Sequence, residues 1–250
     1  ALLMAACQQP ASHSVVTDWA QENLKGQVKE VESDTYLTDS TGKIGAMDTC
    51  CNYVEKFDEK GYSISYVTKD GKDSVRSTET LQHDDNGYLK EITDTKNGKQ
   101  VQRLTFDLGT DSSYKLVQLY DSTNKLTSYY PDVKLNSFGE ALEGKQHHAD
   151  STLRRTWINN FDSIYYVGGE TRASTGKIIY KSNVTLNDKH DPVSMTEMRV
   201  NKDSTTNTTT TYTYDAWDSQ GNWTQQTKHE DKNGKPVTTI IKRTITYYKQ

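Results

Sequence analysis

The stretch YDAWDSQGNWTQQT, residues 214–227, crowds two carboxylates, two tryptophans and a Gly-Asn pair into one window. Acids of that kind could transfer protons in glycoside hydrolysis, and the rings could stack on a sugar face. Two other clusters carry reactive groups: the adjacent Cys50 and Cys51 in MDTCCNY, and the adjacent His147 and His148 ahead of Asp150 in GKQHHAD. A structural metal asks for four ligands at fixed spacing, and neither cluster brings a CxxC or a third histidine. On a strand, neighbouring cysteines point to opposite faces and make poor disulfide partners. The chain also holds no phosphate-binding glycine loop, dinucleotide fingerprint, HExxH or nucleophile elbow. No catalytic residue, metal or cofactor is expected from these patterns, although any fold rich in Asp and Glu could still assemble a carboxylate pair.

The elements around the first window decide how its acids are read. WDSQG (217–221) falls into line with FDEKG (57–61), HDDNG (83–87), LNSFG (135–139) and the variant YDSTN (120–124). Asp or Asn first and Gly fourth is what a type I turn with a following bulge prefers. Asp218 thus occupies the place of Asp58, Asp84 and Asp121, and is read as a turn former whose carboxylate accepts backbone N–H bonds. KDGK (69–72) and KNGK (96–99 and 232–235) add hairpin turns of the Asp-Gly and Asn-Gly kind. Between the turns lie alternating runs of strand length at 62–69, 74–82, 100–107, 177–186, 208–217 and 237–248. TDWAQENLKG (17–26) reads as one short helix, with a Thr or Asp cap and a Gly stop.

Only 32% of the 250 residues are hydrophobic, mean hydropathy is −0.88 and the net charge is −4, with 30 basic and 34 acidic residues scattered along the chain. That balance offers no basic stripe for nucleic acid. Threonine and 16 tyrosines suit a pleated surface wet on one or both sides. The fold class is therefore all-β: an elongated antiparallel β-meander of repeated hairpins, a curved or open sheet, with one short N-terminal helix. The last run, PVTTIIKRTITYY, must be an edge strand or pair back through Asn233-Gly234, with a Val237/Ile241/Ile245 face buried near Trp223. Tyr212, Tyr214, Trp217 and Trp223 form the candidate binding surface, a ring platform for a glycan or a partner's peptide. The other reading is that these rings simply cover the sheet.

Three resemblances follow. ALLMAAC resembles the end of a bacterial lipoprotein signal peptide, which implies acylation of Cys7, membrane attachment through lipid alone and, with Gln8 next, the outer membrane, facing either the periplasm or the exterior. YDAWDSQGNWTQQT with DKNGK resembles the degenerate YD repeats of RHS-type surface proteins over roughly 54–130 and 207–250. That resemblance implies sheet-building units, sometimes linked to carbohydrate, and no catalytic residue. Asp-Ser followed by Thr, Val or Ile resembles an O-glycosylation motif of envelope proteins, which makes Ser40, Ser74, Ser122, Ser151, Ser163 and Ser204 candidate acceptors; Asp-Ser is also ordinary turn chemistry.

Residues 1–26 then comprise a signal remnant, the lipidated cysteine, a tether and the helix, and 27–250 a β-repeat domain. The expected function is a non-catalytic, lipid-anchored envelope protein binding a glycan or an envelope protein. The alternatives are a glycan-active enzyme and a structural spacer. A cleft with two carboxylates would favour the enzyme, an exposed ring row binding, and faces of Lys, Glu and Thr the spacer.

Overall fold

A computed structural model describes residues 15–39, 41–111, 113–202 and 204–249. A helix α1 (Asp18–Gln21) precedes β1 (Val28–Thr38), a short β2 (Ile44–Met47), β3 (Asn52–Phe57), β4 (Ser63–Lys69), β5 (Val75–His83), β6 (Leu89–Lys96) and β7 (Lys99–Leu108). The chain continues through β8 (Tyr114–Asp121), β9 (Leu126–Leu135), β10 (Ala141–His148), β11 (Leu153–Asp162), β12 (Tyr165–Ala173) and β13 (Ile178–Leu186). It ends with β14 (Pro192–Val200), β15 (Thr205–Trp217), β16 (Trp223–Lys232) and β17 (Lys235–Tyr247).

From β3 to β17 every strand pairs antiparallel with the next. The first strand completes the ring, since β1 pairs with β3 on one side and with β17 on the other. The result is a closed 16-strand antiparallel barrel, with β2 as a spur on the end of β1. This corrects the open or curved meander. The long C-terminal strand needs a partner for its outer edge, and β1 supplies one from Val28↔Tyr247 to Leu37↔Thr239. Its other neighbour is β16, joined through Asn233-Gly234 as the sequence predicts, with Lys232 opposite Lys235.

The repeated punctuation behaves as one device. Asp58, Asp84, Asp121, Asn136, Asn187 and Asp218 each accept, through one side-chain oxygen, the N–H groups two and four residues on, at 2.8–3.0 Å. Asn97-Gly98 and Asn233-Gly234 have the two positive φ values of the tighter hairpin. KDGK departs from that expectation: Asp70 accepts from Lys72 and Ser74, and Asp73, not Gly71, takes the left-handed conformation. The helix is shorter than expected because Asn23, with φ 58°, ends it after Gln21, before the Gly26 stop is reached.

A ring of 16 strands is too wide for side chains to fill, so it leaves a lumen. That accounts for a chain with so little aliphatic residue. Two small clusters carry the apolar packing. Leu24, Val28, Val31 and Phe57 meet Trp19, Ile245 and Tyr247 in one; Tyr88, Tyr114, Val117 and Val133 meet Leu104, Phe106, Tyr130 and Trp157 in the other. The outer face carries ion pairs, Lys56–Glu30 (3.3 Å), Lys69–Glu32 (2.6 Å), Arg103–Glu91 (3.5 Å) and Lys134–Glu143 (2.5 Å), with single apolar side chains such as Val101 and Ile158 between polar positions. Threonines alternate with these charges, for example Thr78↔Thr95 and Thr80↔Thr93.

Candidate functional site: two chambers in the barrel lumen

Antiparallel strands place their connecting turns alternately at the two ends of the barrel. One end gathers the turns at 58–62, 84–88, 136–140, 187–191 and 218–222, and residues 15–25 run across that mouth. The backbone of Val16 donates to Phe138 (3.0 Å) and that of Trp19 to Gly61 (3.2 Å). The Asp18 carboxylate accepts from the Ser63 N–H (2.6 Å), Asn23 donates to the Lys189 carbonyl (2.7 Å), and Lys25 N–H donates to Asn222 (2.7 Å). Turns from widely separated parts of the ring are thus tied to one segment. Gly61 is required here: its φ is +96°, and a Cβ would lie 2.6 Å from the Trp19 ring.

Behind that segment the lumen is divided into two chambers, with Gln21 lining both. The larger, about 550 Å³, is bounded by β3, β4 and β12 to β17. Its lining side chains alternate along the strands, Tyr53 and Glu55 on β3, Tyr212 and Tyr214 on β15, as inward positions must. Tyr53 stacks on Tyr66 at 4.9 Å, and Tyr214 meets Trp223 edge-on at 5.8 Å. Arg243 lies over the Trp223 ring at 3.7 Å and donates to the Tyr53 hydroxyl at 3.1 Å. Asp191, 3% exposed, accepts from Asn23 at 2.8 Å through one oxygen while the other has no partner within the protein.

Glu22 and Glu55 meet here as a buried carboxyl pair. Burial, and then the charge and hydrogen bond of Glu22, raise the Glu55 pKa to about 9. Burial also raises Glu22. Two carboxyls in such contact disfavour ionising together.

The smaller chamber, about 340 Å³, is bounded by β5 to β11 and lined chiefly by Leu104, Phe106, Val117, Tyr130, Val133 and Trp157. Its polar corner holds Asp18, Gln21, His83 and Glu140, where the Gln21 amide donates to Glu140. Burial first, and the Asp18 charge second, raise the Glu140 pKa to about 7.

The residues singled out from sequence are distributed unevenly. Tyr212, Tyr214 and Trp223 line the larger chamber. Trp217 is outside it, 39% exposed at the mouth with the Lys189 ammonium 4.7 Å from its ring. Cys7 and Ser40 fall outside the described residues. Ser74, Ser122, Ser151, Ser163 and Ser204 are all exposed in turns. His147 stacks outside the lumen on Tyr129, and its Nδ1 sits 3.0 Å from the Ser151 carbonyl. Cys50 and Cys51 lie in the loop before β3, not on a strand. Cys51 has φ 70°, and ligand atoms of both cysteines and Asp48 fall within 4.8 Å of one another. The hydrogen bond to Cys51 is the main cause pushing the Cys50 thiol up to about 12, which opposes the thiolate a metal would need.

Sequence reading passed over Glu22, Glu55, Asp191 and Arg243. For Arg243 a signal existed, since it shares the odd-numbered face of β17 with Ile241 and Ile245.

No family model and no curated protein sequence matches the chain. Among solved structures it is similar to a porin-like protein from Bacteroides uniformis, 12% identical over 89% of this chain and 99% of that one, with a TM-score of 0.44. It is also similar to part of TcdB2-TccC3, 14% identical over 84% of this chain and 11% of that one, with a TM-score of 0.33.

Proposed function

We propose that this is the barrel of a non-catalytic, lipid-anchored cell-envelope protein that binds a small glycan in the larger lumenal chamber. The observation that carries the reading is the chamber lining: tyrosine and tryptophan rings beside Arg243, Gln226 and a buried Asp191 oxygen with no protein partner. Rings offer faces to the C–H side of a sugar, while a few fixed polar groups orient its hydroxyls. The volume, about 550 Å³, is that of an ordinary small-molecule site.

The enzyme alternative draws on the Glu22/Glu55 pair, but its geometry argues against it. Glycosidase carboxyls stand about 5 Å apart or more, to admit the reacting carbon or a water, whereas Glu22 acts on Glu55 at close range and helps to raise its pKa. The spacer alternative draws on the charged outer face and leaves the aromatic chamber without a role. That same outer face supports anchoring through an acylated Cys7, because a barrel spanning a bilayer with its strands presents an apolar band to lipid.

Isothermal titration of the lipid-free protein with neutral mono- and disaccharides tests the proposal. Saturable binding is expected for at least one sugar, weakened about tenfold or more by Tyr214→Ala or Tyr66→Ala with the β-sheet circular dichroism intact. Sugar binding indifferent to both substitutions, or no sugar binding at all, would refute it.

A further inference from the structure

We propose that the smaller chamber is a second, separate binding site, for a compact apolar molecule that ends in an amine. An apolar cavity of ~150 Å³ already takes up a benzene-sized guest. This one, at about 340 Å³, has room for a ligand on the order of a dozen heavy atoms by the same scale. Its walls are aliphatic and aromatic, so an apolar body would replace poorly hydrated space by close contacts.

The polar corner selects the other end of the ligand. Asp18 and Glu140 are both acids, His83 is the one basic side chain lining the chamber among the described residues, and neither lysine nor arginine reaches it. Gln21 occupies one oxygen of Glu140, and Glu140 lines the chamber beside Asp18. An ammonium there would form a charge-assisted hydrogen bond and restore the ionised state that burial disfavours. A carboxylate in the same place would face two acids across a poorly solvated gap. The chambers differ in their charges: Arg243 stands among the acids of the larger, whereas the smaller has acids and His83 but no lysine or arginine.

The proposal is independent of glycan binding, and its probes are phenylbutylamine and phenylbutyrate, which share an apolar body and differ in charge. Titration should show one saturable site for the amine and binding about tenfold weaker or less for the acid. Val117→Trp, which fills the chamber, should abolish amine binding. Ala141→Phe serves the same purpose if that variant fails to fold. Glu140→Gln should bring amine and acid close to parity, while Tyr214→Ala, in the larger chamber, should leave both unchanged. Absence of saturable amine binding, a preference for the acid, or amine binding that survives a filled chamber would overturn the assignment.

Discussion

At the scale of the residue, the structure separates acids that hold turns from acids that hold protons. Asp218 belongs to the first kind: one oxygen accepts two turn N–H groups, at 3.0 and 2.9 Å, and the other accepts the Tyr247 hydroxyl. Asp218→Ala should therefore lower stability by about 1 kcal/mol, in the range of side-chain caps, without altering ligand affinity per folded molecule. A fall in affinity at an unchanged melting temperature would contradict that role. Glu55 belongs to the second kind. Its pKa rises from 4.5 to about 9 on folding, so between those values the folded state binds the extra proton. Its contribution is fully present below about pH 4.5 and is lost as pH rises through about 9. The melting temperature should accordingly decline across that window, and Glu55→Gln should flatten the decline. A variant whose melting curve tracks the parent at every pH would remove the proton from the account.

At the scale of the element, β17 shows what alternation decides. Ile241 is opposite Thr35 on one side and Gln226 on the other, facing the lumen, while Lys242 faces out with its ammonium 5.6 Å from the Tyr36 ring. Ile241→Asp should lower the melting temperature well beyond Lys242→Asp, because Ile241 is half-buried and Lys242 exposed, and an unpaired charge costs more where less water reaches it. Equal tolerance of the two in a thermal melt would mean that the strand is wet on both faces. The expected apolar face is only partly realised: Ile245 packs into the core, but Val237, at the far end, is 49% exposed. Strands and turns were legible in the sequence because their signals are local, an alternation of two and an Asp three places before a Gly. Less legible were turns that keep the Asx bonds and change the left-handed residue, such as Asn187 with His190 and Asp70 with Asp73. Within 140–200 the Asn187 turn is such a case, with His190 standing where the pattern expects Gly.

At the scale of the whole molecule, closure turns a polar, Thr- and Tyr-rich sheet into a container. It joins residues some 200 positions apart, Glu32 with Thr244 and Asp34 with Lys242, through backbone bonds that no short-range pattern announces. The inward side of every strand, and with it the candidate site, depends on that pairing, so the ring platform could be named from sequence but its chamber could not. The outer face, crossed by ion pairs, leads to a prediction about attachment. Cys7→Ser in the full precursor should block acylation and release the barrel in soluble form; palmitate labelling that persisted in that variant would sink the anchor.

The central claim is the seam between β1 and β17, and amide hydrogen exchange read residue by residue tests it most directly. In an antiparallel strand alternate N–H groups point to opposite neighbours. With the barrel closed, the β17 amides that face β1 should be as strongly protected as those that face β16, with slow exchange running continuously along Thr239–Lys242, the run paired on both sides. Protection of only every second amide in that run, with the others exchanging at solvent rates, would show a free edge and an open sheet, and would leave the chambers without walls.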